Sequence, residues 1–454
     1  MSFRGEGLRV ALDTLGCRMN QSEAAAMLEG LETGGFRVVP FESAADVYVI
    51  NTCTVTGNSD YRSRQLARRA VRANGGAVVV LAGCYPQANP EGAAALEGVD
   101  LVLGNREKLR LAERLKTFLE SNGLHKRPLG APVVEVGEMD RVERFEEVPL
   151  RNFPGNTRAF IKVQDGCQFR CSFCAVTLAR GKSRSLPLEA AVQQVRVLVA
   201  RGFREVVLTG VDLGSYGWDL NPPIELAHLV RRLGEIPGLR RLRISSLNPW
   251  EIPDRLIEAC AETPCVAPHF HVPLQSGDDG VLRAMRRPYA AAHYADRLWA
   301  LKKAFPTAGI GADVIAGFPT ETEAAFRRTC ALVEELPITY LHVFPYSPRR
   351  NTPAARLPGC VSPEARRERV TLLRELGLRK RRAFFEERLG QAVEVLIENT
   401  RHKKTGLLQG LTGNYIKTLT LGPDAWMNEL VKVRVEEVEP ENVRGTPLRL
   451  PVAP

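Results

Sequence analysis

The chain has 454 residues, 44% hydrophobic and 25% charged, with 62 Lys and Arg against 52 Asp and Glu and a formal net charge of +10. That composition excludes a disordered or collagen-like chain and suits two or three globular domains. No apolar run reaches transmembrane length and Met1 to Arg9 lacks a secretory apolar core, so a reducing cytoplasm and no membrane partner are expected. In that setting ten cysteines point to metal or catalysis rather than disulfides. The basic balance is compatible with a polyanionic partner without establishing one.

Residues 8–15 read as a strand followed by Gly16-Cys17, and Ala24, Ala25, Met27, Leu28 and Leu31 then form a helical apolar face that Gly34-Gly35 ends. Further strands are expected over 36–39, 47–51 and 78–82, the last two leading into Thr52-Cys53 and Gly83-Cys84. Strands alternating with helices predict a doubly wound parallel sheet over residues 1–122. Cys17, Cys53 and Cys84 each follow the C-terminal end of a strand, and in an open α/β sheet those ends face one crevice. Three thiols more than thirty residues apart can therefore meet on one centre that keeps a position open. The bland alternative is three unrelated buried thiols. Between them lies a basic helix with Arg62, Arg64, Arg68, Arg69 and Arg72. Its Arg62, Arg69 and Arg72 share one face, which meets either phosphates or solvent.

Residues 123–156 are polar and charge-mixed and read as a connector. From Ala159 strand and helix alternate about six times, with strands expected over 160–163, 205–209, 241–246, 269–274, 309–316 and 340–346. The first ends in Asp165-Gly166 and delivers Cys167, Cys171 and Cys174 in the spacing C-x3-C-x2-C. A closed structural zinc site wants four protein ligands, and the next cysteine is the distant Cys260. Three thiolates suit a [4Fe–4S] cluster with one iron left open. A disulfide or zinc knuckle is the alternative, and the spacing fits neither well. Cys260, Cys265, Cys330 and Cys360 fall outside these motifs and read as buried or incidental thiols.

The run from Phe160 to Ala175, with Phe173 before the last cysteine, resembles the radical S-adenosylmethionine (SAM) enzymes. The resemblance implies a partial (β/α)6 barrel over residues 157–388, with chemistry at strand C-termini. It further implies a [4Fe–4S] cluster on Cys167, Cys171 and Cys174, SAM bound at its open iron, and cleavage to a 5′-deoxyadenosyl radical. Electrons would come from a donor such as flavodoxin or ferredoxin. By the same resemblance Gly210 and Asp212 lie near the SAM methionyl group, while the segments containing Gln275 and Asp313 line ribose and adenine. Ser246, at another strand end, joins them as a candidate SAM contact. His269 and His271 read as core histidines in preference to direct catalysis.

Thr14 to Glu23, Asn51 to Thr56 and Leu81 to Tyr85 resemble the N-terminal domain of the methylthiotransferases. That likeness implies a second [4Fe–4S] cluster on Cys17, Cys53 and Cys84, carrying a sulfur that one SAM methylates, so all six cysteines are implied in catalysis. Asn51 to Thr56 followed by Ser63 to Ala70, together with Gln164-Asp-Gly-Cys167, is similar to the MtaB type within this family. The implied reaction is methylthiolation of C2 of N6-threonylcarbamoyladenosine in the tRNA anticodon loop. Isopentenyladenosine in tRNA or a ribosomal-protein side chain are alternative acceptors, and an RNA-binding or electron-relay protein is the non-catalytic alternative. The chain departs from the family run at Thr177, where Pro is common, and at Leu186, where Arg is common.

Residues 362–389 read as a basic helix. From Gln391 the pattern alternates, with strands expected over 393–397, 406–411, 415–421 and 430–438, which predicts a small antiparallel β-barrel over 389–454. It resembles the TRAM domain, an RNA-binding β-barrel. Arg401-His-Lys-Lys404 with Tyr415 and Lys417 would then contact phosphates and stack on bases. An ordinary basic hairpin tip is the alternative.

Overall fold

The computed structural model describes residues 7–122, 131–148, 150–153, 155–349 and 351–448. The chain divides into two compact units, residues 1–154 with 160–186 and 347–352, and residues 155–159 with 187–346 and 353–454.

In the first unit the chain runs β1 (Arg9–Thr14), α1 (Arg18–Thr33), β2 (Arg37–Val39), β3 (Val47–Thr52), α2 (Gly57–Ala73), β4 (Val78–Gly83), α3 (Cys84–Ala88), α4 (Pro90–Ala94), β5 (Leu101–Leu103), α5 (Leu111–Asn122) and β6 (Val133–Glu135). The six strands form one parallel sheet in the order β2-β1-β3-β4-β5-β6. β3 and β4 are buried along their whole length, as strands covered on both faces must be. Alternation sorts their side chains. Val47, Val49 and Val80 pack with Met27, Leu31 and Leu115 of α1 and α5, while Tyr48, Ile50 and Leu81 pack with Ala67 and Ala70 of α2. Helices on both faces make the sheet doubly wound, as the sequence predicts. β6 lies inside the stretch 123–156 that reads as a connector. Its three residues pair with β5 as the edge strand of the sheet, too short to show a period of two.

The same unit holds the cysteine loop. β7 (Arg158–Lys162) carries the chain across the division between the units, and β8 (Gln164–Asp165) and β9 (Arg184–Ser185) pair antiparallel around α6 (Val176–Arg180).

In the second unit α7 (Leu188–Ala200), β10 (Glu205–Thr209), α8 (Leu226–Gly234), β11 (Arg241–Ile244), α9 (Asp254–Glu262), β12 (His269–His271), α10 (Asp279–Ala284), α11 (Ala291–Ala304), β13 (Gly309–Ala316), α12 (Glu323–Glu335), β14 (Tyr340–Pro345) and α13 (Pro363–Glu386) follow one another. β10 pairs with β11 and β13 with both β12 and β14, all parallel, and the bridges Leu242–Val266 and Ser246–His271 join the two sets. These are the expected β/α units. α13 begins as its sequence dictates, with the Ser362 hydroxyl accepting from the Ala365 amide and Pro363 in the first turn.

β15 (Ala392–Arg401), β16 (Leu408–Thr412), β17 (Lys417–Thr420), β18 (Leu430–Val438) and β19 (Val443–Pro447) close into a barrel in the order β15-β16-β17-β19-β18 around Val395, Ile397, Leu408, Val431 and Val433. Four of the five neighbouring pairs are antiparallel, as expected. β17 and β19 run parallel, because a ring of five strands cannot alternate direction all the way round. Arg241 and Arg243 of β11 tie this barrel to the rest of its unit. Both donate to Glu205, and their remaining guanidinium N–H groups reach the carbonyls of Leu411, Thr412 and Gly413.

Candidate functional site

The sheet order 2-1-3-4-5-6 reverses direction between β1 and β3, and the C-terminal ends flanking such a switch point are where open α/β sheets bind ligands. Cys17 follows β1 as the residue capping α1, Cys53 follows β3, and Cys84 opens α3 directly after β4. The three are near enough that Cys84 opposes ionisation of both Cys17 and Cys53. Gly16 makes room for this. Its φ is +102°, and a Cβ there would sit 2.6 Å from Cys53 Cβ and 2.8 Å from its Sγ. Burial pushes the Cys53 thiol up to about 11, with Cys84 adding to the effect. Cys17 keeps solvent contact, yet protein surrounds most of it, and burial raises its thiol as well. Thiols raised in this way would release protons on binding a metal centre.

Buried polar side chains hold the strand ends in place. The Asn20 amide donates to the carbonyls of Leu15 (2.7 Å) and Thr52 (2.8 Å), joining β1 to β3. Thr52 Oγ1 donates to the Ala82 carbonyl and accepts from the Tyr85 amide, joining β3 to β4. Asn105 Nδ2 lies 3.5 Å from Cys84 Sγ and donates to the Ala179 carbonyl at 2.7 Å, so α6 is tied to the same place.

Cys167, Cys171 and Cys174 sit half-buried in the loop that the β8–β9 ribbon closes. Gly166, at φ +78°, lets the chain pass against the Lys182 carbonyl where any Cβ would collide, and the Cys167 amide donates to Gly181 at 3.0 Å. At the far end the Val176 amide donates to Cys174 Sγ at 3.4 Å. None of the ten cysteines is in a disulfide.

One feature of this site is invisible in the sequence motifs. Arg180, at the end of α6 and 3% exposed, donates to both Glu23 oxygens (2.9 and 3.0 Å), to Asp165 (3.0 Å) and to Asn20 Oδ1 (2.9 Å). Glu23 also receives Lys108 at 2.8 Å and Lys162 at 2.9 Å. Burial works against the Glu23 carboxylate, but Arg180, Lys108 and Lys162 hold it well below the usual carboxylate range. Glu23 ends the run Thr14 to Glu23, and nothing in the sequence marks it as the hub of four ion-paired contacts.

In the second unit the candidate SAM contacts divide into two groups. Ser246 bridges to His271, whose Nε2 lies 2.9 Å from Asp313, and the Gln275 amide donates to the Asp313 carbonyl at 2.8 Å. Gln275 holds φ +64°, a conformation that side chains adopt at a cost and that clusters at ligand sites. His271 and His342 keep Asp313 ionised well below its ordinary range despite burial, and His269 Nε2 lies 2.8 Å from the Tyr340 hydroxyl. His269 and His271 are therefore hydrogen-bonded residues of the interior. Asp212, two residues past the half-buried Gly210, belongs to the other group and accepts from Asn248 at 2.9 Å. Beside it, burial and then the Asp212 carboxylate push Glu251 well above the usual range. Asn248 and Glu251 escaped sequence reasoning, although Asn248-Pro-Trp-Glu251 has capping-box spacing.

Arg62, Arg68, Arg69 and Arg72 of α2 line a groove of about 600 Å³ with Asp13 and Leu15, in keeping with the expected common face. On the C-terminal barrel two of the RNA-contact candidates have partners within the protein. Arg401, half-buried, pairs with the exposed Asp424 and donates to the carbonyls of Gly406 and Gly422. Tyr415, at φ +72°, stacks its ring on His269 at 4.4 Å with Arg243 over it at 5.1 Å, so that ring packs within the protein. Lys403 and Lys404 remain exposed. Among the described residues no helix is long and apolar enough to cross a membrane.

Residues 9–104 match the family described as uncharacterized protein family UPF0004, and residues 161–333 match the radical SAM superfamily. The structure is similar to TsrM, a radical SAM methyltransferase from Kitasatospora setae, with a TM-score of 0.55 at 16% identity over 74% of this chain and 72% of that one, a likeness of fold. Fold and cysteine loop define a radical SAM enzyme, which implies a [4Fe–4S] cluster and SAM. Threonylcarbamoyladenosine tRNA methylthiotransferase MtaB of Aquifex aeolicus is 41% identical, covering 90% of this chain and 96% of its own, and that of Bacillus subtilis is 36% identical, covering 94% and 93%. The tRNA-2-methylthio-N(6)-dimethylallyladenosine synthase of Alkalilimnicola ehrlichii is 33% identical, covering 97% and 98%. The chain belongs to the MtaB-type family of radical SAM tRNA methylthiotransferases.

Proposed function

We propose that this chain replaces the hydrogen at C2 of N6-threonylcarbamoyladenosine in the tRNA anticodon loop by a methylthio group. Cys167, Cys171 and Cys174 hold the cluster that binds SAM, and Cys17, Cys53 and Cys84 hold an auxiliary [4Fe–4S] cluster. The observation that carries this reading is the convergence of Cys17, Cys53 and Cys84 at the switch point of a parallel sheet, a second three-thiol set in the same unit as the cysteine loop. The donor set fits such a group: three thiols, a glycine that clears space over Cys53, and buried cations beside them. When bound, the clusters and SAM supply the sulfur, the methyl group and the carbon radical that an unactivated aromatic C–H bond requires.

The protein's own share is placement and binding. Asn20, Thr52 and Asn105 fix the cysteine-bearing strand ends, and Gln275, Asp313 and Asp212 with Ser246 and Gly210 offer polar contacts to SAM. Lys403 and Lys404, Lys417 and the α2 arginines supply positive charge for tRNA phosphates. The acceptor base must be splayed from its loop, which single-stranded loops permit cheaply. The relatives from Aquifex and Bacillus, named for threonylcarbamoyladenosine, support the substrate. The Alkalilimnicola relative favours dimethylallyladenosine as the second reading.

Nucleoside mass spectrometry of bulk tRNA from cells with and without the gene decides between them. Loss of the methylthiolated threonylcarbamoyladenosine with build-up of its parent is expected. Loss of the methylthiolated dimethylallyl nucleoside instead would transfer the assignment to the second reading, and no change in either would refute both. Iron analysis of the reconstituted chain should give about eight irons, two four-iron clusters, with no stoichiometric zinc.

A further inference from the structure

We propose that Arg180 is a positioning residue for the centre on Cys17, Cys53 and Cys84: a buried cation, supplied by the loop of the other cysteine triad, that offsets the negative charge of that centre and sets its reduction potential. This rests on the reading that those three thiolates hold a four-iron cluster.

The starting point is an imbalance of charge. Arg180, Arg184, Lys108 and Lys162 face Glu23 and Asp165, an excess of two positive charges, and every one of the six side chains is at most 11% exposed. Burying unpaired charge is costly, so the excess calls for an anionic neighbour. Among the described residues the acidic members of this network number two, Glu23 and Asp165. Cys84, which Asn105 joins to the residue before Arg180, and the two thiols that converge with it can carry that charge once ionised. A dicationic four-iron core on three thiolates carries one net negative charge and would offset half of that excess, and the electron added on reduction would offset the rest.

The connections reach the triad from three sides. Arg180 donates to Asn20, whose amide holds the carbonyls before Cys17 and Cys53. Lys108 donates to Asn51 Oδ1 at 3.1 Å, two residues before Cys53. Asn105 joins Cys84 to the residue before Arg180. A guanidinium fork suits this work because it bonds several fixed acceptors at once while keeping its charge.

Net charge beside an iron–sulfur cluster is one of the levers on its potential. Adding an electron next to a cation is favoured, so removing the cation must make the cluster harder to reduce. The test uses the full chain with Cys167, Cys171 and Cys174 replaced by Ala, reconstituted so that one cluster remains, and reads its midpoint by redox titration followed by electron paramagnetic resonance. Arg180→Gln should shift the reduction equilibrium at least tenfold toward the oxidised state, about 59 mV for one electron, at unchanged iron content. Arg180→Lys, which keeps the charge and loses the fork, should stay within a factor of three of the parent. Lys162→Gln removes another of the excess cations at the edge of the network and should shift the equilibrium in the same direction as Arg180→Gln, so it decides the matter if Arg180→Gln does not fold. A loaded cluster with an unmoved midpoint in either Gln variant overturns the proposal, as does an equal shift in Arg180→Lys. Absence of iron in the parent itself overturns the reading of the triad instead.

Discussion

Glu23→Gln is isosteric and removes one negative charge from the middle of the first unit. Glu23 is 2% exposed and accepts from Arg180, Lys108 and Lys162 at 2.8 to 3.0 Å. Each such pair is worth a few kcal/mol of gross attraction at an effective dielectric near 20, set against the cost of desolvating the carboxylate. Once that cost is met by folding, deleting the carboxylate leaves Arg180 and Lys162 with Asp165 and leaves Lys108 with the neutral Asn51 amide, and breaking buried pairs in this way costs about 3–5 kcal/mol. The chain's four tryptophans, Trp218, Trp250, Trp299 and Trp426, all lie in the second unit, which makes the two units separately observable. Hydrogen exchange on the iron-free chain should show protection in β1 and β3 falling by about two to four decades, at about 1.4 kcal/mol per decade. The tryptophan fluorescence transition should stay where it is. Protection falling by less than a decade would refute the assignment of Glu23 as the hub of this unit.

Four further outcomes are expected. Gly16→Ala places a methyl group against Cys53 and forces an L-residue to φ +102°, so iron should drop from about eight to about four per chain while SAM cleavage to 5′-deoxyadenosine persists; retention of eight would show that the strand end can shift. Burial alone would raise Glu205, but Arg243 and Arg241 bring it from 4.5 down to about 2, a difference on the order of 3 kcal/mol. A depressed carboxylate contributes stability that is full above pH 4.5 and lost as pH falls toward 2, so the tryptophan-monitored stability of the second unit should decline across that window. Glu205→Gln should start lower at pH 7 and lack that decline; parallel curves for the two chains would contradict it. Replacing Lys403 and Lys404 by Ala should reduce the slope of log affinity for tRNA against log salt by about 1.4, two single-strand phosphate contacts, with the barrel intact. Arg401→Ala, by contrast, should loosen the barrel through loss of its bonds to Asp424, Gly406 and Gly422, and an unaltered unfolding midpoint would count against that structural role.

Much of the architecture was legible because it repeats. The strands over 205–209 and 309–316 coincide with β10 and β13, where β-branched runs end at glycine or polar residues. The convergence of Cys17, Cys53 and Cys84 was legible for a different reason, namely that strand order in a parallel sheet places strand ends together whatever their separation in sequence. What escaped was short, or long-range and polar. β6 has three residues and β19 contains Gly445 and Pro447, so neither shows a strand pattern. The packing of Tyr415 leaves no signal either, since its neighbourhood in sequence is basic, while its left-handed backbone turns the ring back onto His269.

The Glu23–Arg180 pair spans 157 positions, and a charge looks the same in a sequence whether it is buried or solvated. Apolar burial leaves a period behind because every strand or helix must present a face. Charge burial leaves none, since each group needs a particular partner rather than a face. The cost of that burial is what makes the network informative once seen: four cations around two carboxylates leave an excess of positive charge, and in the proposal above a centre on Cys17, Cys53 and Cys84 offsets it. The strand ends that bring the thiols together also carry the polar side chains that reach this network, so a cluster held there would draw on the sheet's topology and on its buried charge at once.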